Sequence, residues 1–261
     1  MQPTVAEFDY LMASRGVVRF QAVLGRDRVA ALRSECERVY QLRRAVQLAN
    51  GVAEGMEGAA HHVLGEGGAL DAFVQDLPLW NWVEQFFEGK FILLNFGATM
   101  HPPGASAYTL RPHRDVRAWS HPYRLSLNML VMLDDFTPEN GATLFLPGSQ
   151  NVRDLPAAEI FQAHAEQLCG KAGDILLFDS LVVHAAAPNL SSRDRVAMTL
   201  CFGRPFMKPQ MDWRRFLAGS QLAAAPSAQA AQLLGHHAVV PEDLDQYYQP
   251  PERWTFKPDQ R

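Results

Sequence analysis

Residues 125–149, LSLNMLVMLDDFTPENGATLFLPGS, contain two short apolar runs with a polar turn between them. The first run, residues 125–133, has the length of a buried strand and falls far short of the about 18 residues that span a bilayer. The Asn-Gly pair at 140–141 and the Pro-Gly pair at 147–148 are typical of tight turns. This stretch therefore predicts neighbouring strands joined by short connections.

Apolar runs of the same kind occur on both sides of this stretch, again separated by Gly, Pro and Asn. The predicted strands are residues 17–20, 91–96, 107–110, 125–133, 142–146, 174–178, 181–184 and 196–202. Many short strands with such turns are typical of sandwiches and barrels of the jelly-roll kind. We expect a mostly β fold with flanking helices and a double-stranded β-helix (jelly-roll, cupin-like) core over about residues 91–204.

Helical periodicity is clearest near the N-terminus, where apolar side chains recur about every 3.6 residues with charges between them. The predicted helices are residues 26–46, 70–87 and 222–234. Residues 51–68 are rich in Gly and predict a mobile loop that includes the pair His61 and His62. We expect one domain, made of N-terminal helices at 26–87, the core, and a C-terminal extension at 207–261, together residues 1–261.

Composition narrows the class of protein before any motif is considered. The chain has 261 residues, of which 48% are hydrophobic and 20% charged, which excludes a disordered, collagen-like or coiled-coil chain. The net charge of −4 provides no basic surface for a phosphate backbone, so we expect no nucleic-acid partner. We also expect no membrane partner and no secretory signal, because no basic start followed by an apolar run is present.

The three cysteines, Cys36, Cys169 and Cys201, are odd in number and far apart. This pattern argues against a disulfide framework or a cysteine-based zinc site. We therefore expect reduced thiols and a cytoplasmic protein. The sequence leaves the oligomeric state open.

Three polar residues, far apart in the chain, form a candidate metal site. His113 and Asp115 belong to LRPHRDVRAW, and His184 belongs to DSLVVHAAAPN. Residues i and i+2 of a strand point to the same side, and a jelly roll brings a later strand alongside. Two imidazoles and one carboxylate on one face of an octahedron leave three positions open, as in the facial triad of non-haem iron(II) oxygenases. The alternative is a surface histidine and a turn-capping aspartate.

Arg195 begins a strand whose residues of the same parity are small. Arg195 and its neighbours Ala197 and Thr199 share one face, which leaves room for a ligand beside the guanidinium. A dicarboxylate could bind a metal at one end and Arg195 at the other through a bidentate pair. Arg193 has the same parity and competes for this role, and a pairing of Arg195 with Asp194 or solvent is the alternative without a ligand.

These residues, in this order, resemble the phytanoyl-CoA dioxygenase family of Fe(II)- and 2-oxoglutarate-dependent oxygenases. The resemblance covers about residues 17–204 and includes NGATLFLPGS at 140–149, GDILLF at 173–178, and the spacing from His184 through Asn189 to Arg195. It implies that His113, Asp115 and His184 bind Fe(II) and that Arg195 binds the far carboxylate of 2-oxoglutarate, with O2 as the third reactant.

The resemblance also implies a reaction. We expect hydroxylation of an unactivated C–H bond of a small-molecule metabolite, with release of succinate and CO2 and with the iron centre as the only catalytic group. Asp115 favours oxidation over halogenation, because related halogenases resemble this pattern with a small residue there. The alternatives are a non-catalytic relative that binds a metal or small molecule, and another cupin-like metal enzyme such as a zinc hydrolase.

One departure from the family pattern concerns the co-substrate. The position two residues after the second histidine often carries a hydroxyl in the family, and here it is Ala186. The candidates for the missing donor are Thr143, Thr199 and Tyr108. Asn95 is expected at the co-substrate wall, and the candidate substrate residues are Met100, Trp119, His61 and His62. Residues 51–68 or 207–216 are candidates for a cover over the site.

Overall fold

The computed structural model describes residues 2–104, 110–116 and 118–260. Its helices are α1 (Val5–Ser14), α2 (Arg26–Ala49), α3 (Ala69–Gln75), α4 (Trp80–Phe87), α5 (Ala158–His164), α6 (Trp213–Phe216), α7 (Gln221–Ala224), α8 (Ala228–Leu233) and α9 (Leu244–Tyr247). Its strands are β1 (Val17–Phe20), β2 (Ala59–His61), β3 (Ile92–His101), β4 (Ser126–Met132), β5 (Leu144–Phe145), β6 (Glu166–Gln167), β7 (Ile175–Asp179), β8 (His184–Ala185) and β9 (Arg195–Gly203).

Two antiparallel sheets form the core. The larger has the strand order β1-β7-β4-β9-β3-β2, and the smaller has the order β6-β5-β8. Phe145 of β5 contacts Phe178 of β7 with ring centroids 5.0 Å apart, so the two sheets pack face to face there. The predicted mostly β jelly-roll class with flanking helices is confirmed.

Strand β4 shows how alternation separates the two faces of the larger sheet. Leu127, Met129 and Val131 belong to the apolar cluster that includes the N-terminal helices. Leu130 and Met132 belong to a second cluster, which lies between the sheets. Period-2 side-chain direction in the run at 125–133 thus buries both faces of one strand.

The register of β3, β9 and β4 places polar residues side by side on the face between the sheets. Asn95 pairs with Cys201, and Cys201 pairs with Asn128 on the other side. Arg195, six residues before Cys201 on β9, pairs with His101 of β3. Because neighbouring strands lie about 4.8 Å apart, each pair brings its side chains together on one face.

Several sequence predictions require correction. The helix predicted at 70–87 is divided into α3 and α4, because Pro78 and the positive φ of 61° at Leu79 interrupt it. Pro226 likewise divides the helix predicted at 222–234. The predicted loop at 51–68 contains β2, which pairs with β3.

The predicted strands also differ in length from those of the structure. The strands predicted at 142–146 and 181–184 are shorter, as β5 and β8, and β3 continues five residues past the predicted end at 96. The strand predicted at 107–110 lies mostly outside the described residues, and Leu110 is not in a strand. Helix α1 was missed, although Thr4 and Glu7 form a capping box at its start.

The C-terminal extension packs against the larger sheet through Trp213, which is 2% exposed and belongs to the largest apolar cluster. Its indole Nε1 donates a hydrogen bond to the Leu93 carbonyl at 2.8 Å. Within the described parts of the chain, every helix is too short or too polar to cross a bilayer.

We expect Trp213→Ala to lower the free energy of unfolding by about 3–5 kcal/mol, because it removes a buried aromatic side chain and the hydrogen bond to Leu93. Phe206→Ala is the matched control: its side chain is 52% exposed, and the expected change is within about 0.5 kcal/mol. Urea titration followed by far-ultraviolet circular dichroism, which reports backbone structure, measures the free energy of unfolding of both variants. Equal midpoints for Trp213→Ala and the unaltered protein would contradict this packing.

Candidate metal centre

His113 and His184 face each other across a pair of reciprocal backbone hydrogen bonds. The amide of each donates to the carbonyl of the other at 3.0 Å, and the ring centroids lie 4.4 Å apart. Asp115 lies on the same side, in a bend that follows the isolated bridge at His113. The Nε2 atoms of His113 and His184 are each 3.5 Å from a carboxylate oxygen of Asp115. One ligand atom from each of the three residues lies within 4.8 Å of the others.

Hydrogen bonds to the backbone orient both imidazoles. Nδ1 of His113 lies 2.8 Å from the Arg111 carbonyl, and Nδ1 of His184 lies 3.0 Å from the Val182 carbonyl. A carbonyl only accepts, so each Nδ1 carries a hydrogen, and the neutral form of each ring presents its Nε2 lone pair toward Asp115. This is the arrangement that metal-binding histidines adopt. Asn128 donates to the Asp115 carboxylate at 2.6 Å and fixes its orientation.

The electrostatics of Asp115 and His184 suit a cation. At His113, burial is outweighed by the Asp115 carboxylate and the Arg111 carbonyl, which raise the pKa of His113 overall. Burial raises the pKa of Asp115, but the His184 and His113 imidazoles and the Asn128 amide outweigh burial and lower it overall. Burial lowers the pKa of His184 despite the nearby Asp115. The carboxylate is therefore ionised and the His184 ring neutral near pH 7, which are the forms that bind a metal. Two imidazoles, one carboxylate and no thiolate suit Fe(II) among the transition metals.

Arg114 lies between the predicted ligands His113 and Asp115, and its guanidinium points away from them and holds the local backbone in place. Its guanidinium donates to the Leu181 carbonyl at 2.7 Å, near β8. It also donates to the carbonyls of Ser149, Val152 and Arg153. Trp119 covers the guanidinium, with its ring centroid 5.2 Å away. Arg114 thus ties the segment that carries His113 and Asp115 to the segment that leads into His184.

A cavity of about 250 Å³ opens beside the triad and runs along the face between the sheets. It is lined by the three triad residues, by Ala186 and Thr143, and by the inward residues of three strands. These strand residues are Asn95, Gly97, Thr99, His101, Asn128, Leu130, Arg195, Ala197, Thr199 and Cys201.

Arg195 is 4% exposed and lies at one end of this cavity. Its guanidinium donates to the Gly141 carbonyl and lies over the Phe136 ring, 4.1 Å from the centroid. Its Nε has no hydrogen-bond partner, and no carboxylate of the described residues forms an ion pair with it. Burial lowers its pKa to about 10, against the pull of Asp134, so the group remains a cation near pH 7. A buried cation without an anionic partner fits a carboxylate ligand.

The structure places the other predicted site residues in three groups. Asn95, Thr143, Met100 and His61 line the cavity. Trp119 and His62 do not line it: Trp119 packs on Arg114, and the positive φ of 54° at His62 accompanies a contact of its ring with Trp213. Tyr108 lies outside the described residues. Arg193, the competitor of Arg195, is exposed.

Sequence reasoning missed His101 and Asn128 as cavity residues. His101 had a usable signal, because it is six residues from Asn95 on β3 and therefore shares its parity. Asn128 had a weaker signal, as a polar residue inside an apolar run. The role of Arg114 had no such signal, since its four acceptors are backbone carbonyls.

Comparison with known proteins points to one family. The sequence profile described as Phytanoyl-CoA dioxygenase (PhyH) matches residues 12–197. The "Uncharacterized protein Rv1501" of Mycobacterium tuberculosis (strain ATCC 25618 / H37Rv) is 36% identical over 145 residues, 56% of this chain and 53% of that protein. "Dioxygenase af480" of Aspergillus fumigatus is 26% identical and covers 63% of this chain and 55% of its own. The chain thus spans about half the length of these curated relatives.

Two solved structures share the fold. AviO1 from Streptomyces viridochromogenes Tue57 has a TM-score of 0.62 and is 21% identical in sequence. The match covers 80% of this chain and 99% of the AviO1 chain. The non-heme alpha ketoglutarate dependent epimerase SnoN from nogalamycin biosynthesis has a TM-score of 0.57 and 17% identity, covering 76% of this chain and 80% of its own.

We expect Arg114→Ala to weaken binding of a divalent metal by about 10- to 100-fold, the usual cost of removing a residue that orients metal ligands. The guanidinium touches none of the three ligand atoms, so the loss would arise from misplaced ligands. Isothermal titration with Co(II) measures it. Arg153→Ala is the control, because that side chain is exposed and only its carbonyl contacts Arg114. Equal affinities for Arg114→Ala and the unaltered protein would show that the hydrogen bonds of Arg114 are not needed to position the metal ligands.

Proposed function

The chain belongs to the phytanoyl-CoA dioxygenase (PhyH) family, and on that premise we propose that it is an Fe(II)- and 2-oxoglutarate-dependent dioxygenase. In this proposal it hydroxylates an unactivated C–H bond of a small-molecule metabolite and releases succinate and CO2. The observation that carries the proposal is the convergence of His113, Asp115 and His184 at one end of a cavity whose other end holds the unpaired cation Arg195.

In the proposed mechanism, His113, Asp115 and His184 hold the iron. Bound Fe(II) with 2-oxoglutarate and O2 supplies an oxidant strong enough to break an unactivated C–H bond. The chain's own residues orient the iron ligands and enclose the site. The Nδ1 hydrogen bonds keep both imidazoles in the metal-binding tautomer, and Asn128 keeps the Asp115 carboxylate turned toward them. No side chain of the described residues is needed as a separate acid or base.

Arg195 would bind the far carboxylate of 2-oxoglutarate, and Asn95 and Thr143 would contact the co-substrate between its ends. Asn95 supports this assignment because its Oδ1 is buried without a partner and its amide faces the cavity beside Cys201. Thr143 supports it because it is 6% exposed and lines the same cavity. Buried polar groups without partners are uncommon in native proteins and favour a ligand at that position.

The cavity beyond the co-substrate is the proposed place of the substrate. His61 and Met100 line it, together with Glu57 and Gln210. Apart from Arg195, the described lining residues include no arginine or lysine, and Lys208, Arg214 and Arg215 lie outside the lining. This favours an uncharged small molecule at the reacting end over an anionic one.

A second outcome is favoured by the likeness to SnoN, which is named an epimerase. Epimerisation returns the hydrogen to carbon, whereas hydroxylation adds an oxygen atom from O2. Turnover under 18O2 separates the two, since only a hydroxylated product gains the heavy isotope. Asp115 supports both reactions over halogenation, because related halogenases resemble this pattern with a small residue in its place.

We expect the anaerobic protein with Fe(II) and 2-oxoglutarate to develop a weak visible charge-transfer band, and in air to release succinate. Asp115→Ala should lose the band, because it removes one of three ligands. The matched control is Asp76→Ala, an exposed carboxylate that should leave the band unchanged. Absence of both the band and succinate in the unaltered protein would exclude this function, and activity independent of 2-oxoglutarate would favour another metal enzyme.

A further inference from the structure

Two buried basic side chains, Arg195 and His101, form one end of the cavity. They are partners in the register of β3 and β9, so their side chains lie next to each other on the face between the sheets. Arg195 is 4% exposed and His101 is 2% exposed, and both line the cavity. The Asn189 side chain donates to the His101 carbonyl at 2.7 Å and holds this end of β3 in place.

The His101 ring lies beside the segment that lacks the expected hydroxyl. Its Nε2 is 2.9 Å from the carbonyl of Ala187, the residue after Ala186. Gly141 closes the other side: a Cβ there would lie 2.8 Å from His101 Nε2, and Arg195 donates to the Gly141 carbonyl. The imidazole and the guanidinium therefore converge on Gly141, and the imidazole also bonds to the carbonyl of the residue after Ala186, where a side-chain hydroxyl is missing.

We propose that His101 is a second donor to the far carboxylate of the co-substrate, acting with Arg195 in place of the hydroxyl absent at Ala186. This rests on the proposed function, because it presupposes that a dicarboxylate binds between the triad and Arg195. Since the Ala187 carbonyl takes the Nε2 hydrogen, the donor is Nδ1 of a ring that carries both hydrogens. His101 is thus a binding residue for the co-substrate rather than part of the wall alone.

The charges around the ring explain how it gains the second hydrogen. Burial and the Arg195 guanidinium lower the pKa of His101, while the Ala187 carbonyl and Asp194 oppose them. Before a dicarboxylate binds, the ring is therefore neutral near pH 7. The contacts of the ring with the Ala187 carbonyl and with the turn at Gly141 are to uncharged groups. A carboxylate bound to Arg195 places a negative charge beside the ring and raises the pKa of His101. Binding of the dicarboxylate is therefore coupled to uptake of a proton.

The experiment compares two oxo acids that differ only at the far end. Isothermal titration of the anaerobic Fe(II)-loaded protein with 2-oxoglutarate and with 2-oxobutanoate separates the contribution of the far carboxylate from that of the metal. We expect His101→Phe to weaken 2-oxoglutarate binding by about 10- to 100-fold, the loss of a hydrogen bond to a charged group, and to leave 2-oxobutanoate binding unchanged. Unchanged 2-oxobutanoate binding also shows that the variant is folded and holds iron.

Three further variants distinguish the possible outcomes. Thr143→Val and Thr199→Val remove the rival donors; if one of them loses the preference for 2-oxoglutarate and His101→Phe keeps it, the proposal for His101 is wrong. Arg195→Met should abolish the preference altogether. If Arg195→Met and the unaltered protein bind 2-oxoglutarate equally, the proposed function fails. If Arg195→Met loses the preference for 2-oxoglutarate and His101→Phe keeps it, only the role of His101 is wrong.

Proton uptake provides a readout that a purely structural role would not move. Titration with 2-oxoglutarate in two buffers of different ionisation enthalpy should reveal net proton uptake near pH 7 in the unaltered protein. His101→Phe should abolish this uptake, and 2-oxobutanoate should produce none in either protein. Equal proton uptake in His101→Phe and the unaltered protein would overturn the proposal.

Discussion

The reciprocal backbone hydrogen bonds between His113 and His184 are the contact on which the site depends. They join two segments 71 residues apart and bring both imidazoles to the same side at a ring separation of 4.4 Å. Phe145 and Phe178 pack against the His184 ring from the two sheets, at centroid distances of 5.7 and 5.1 Å. The histidine pair therefore lies beside the smaller sheet, and the contacts of His184 with Phe178 and of Asp115 with Asn128 hold the triad against the larger sheet.

One face of the larger sheet contributes most to stability, and the other face lines the cavity. The face toward the helices is apolar and carries the largest buried cluster, which supplies most of the burial that stabilises the fold. The opposite face buries Arg195 without a carboxylate and leaves atoms of Asn95 and Arg195 without partners. Unpaired buried polar atoms cost free energy unless a ligand satisfies them. Their place along the cavity, rather than across the core, is what supports a ligand there.

The sequence was most informative where period-2 alternation alone sets side-chain direction. The strand at 125–133 and the inward face of Arg195 follow from that rule, whereas His113 forms only an isolated bridge and Asp115 lies in a bend. It failed where a local backbone feature decided the outcome, as at Leu79, whose positive φ divides a predicted helix. It also failed where contacts depend on tertiary structure: nothing in the sequence places Trp119 on Arg114 instead of in the cavity.

His101 shows why a missing donor need not be replaced on its own segment. The family pattern directs attention to Ala186, on the connection after β8, but strand pairing sets the neighbours of Arg195 independently of that connection. The antiparallel register of β3 and β9 places residue 101 opposite residue 195 whatever its identity, so any side chain there lies against the guanidinium. The backbone of His101, at the end of β3, is held by the ladder with β9 on one side and by the hydrogen bond from Asn189 to its carbonyl. A lost hydroxyl at residue 186 can therefore be compensated by one substitution on β3, without change to the metal-binding segments.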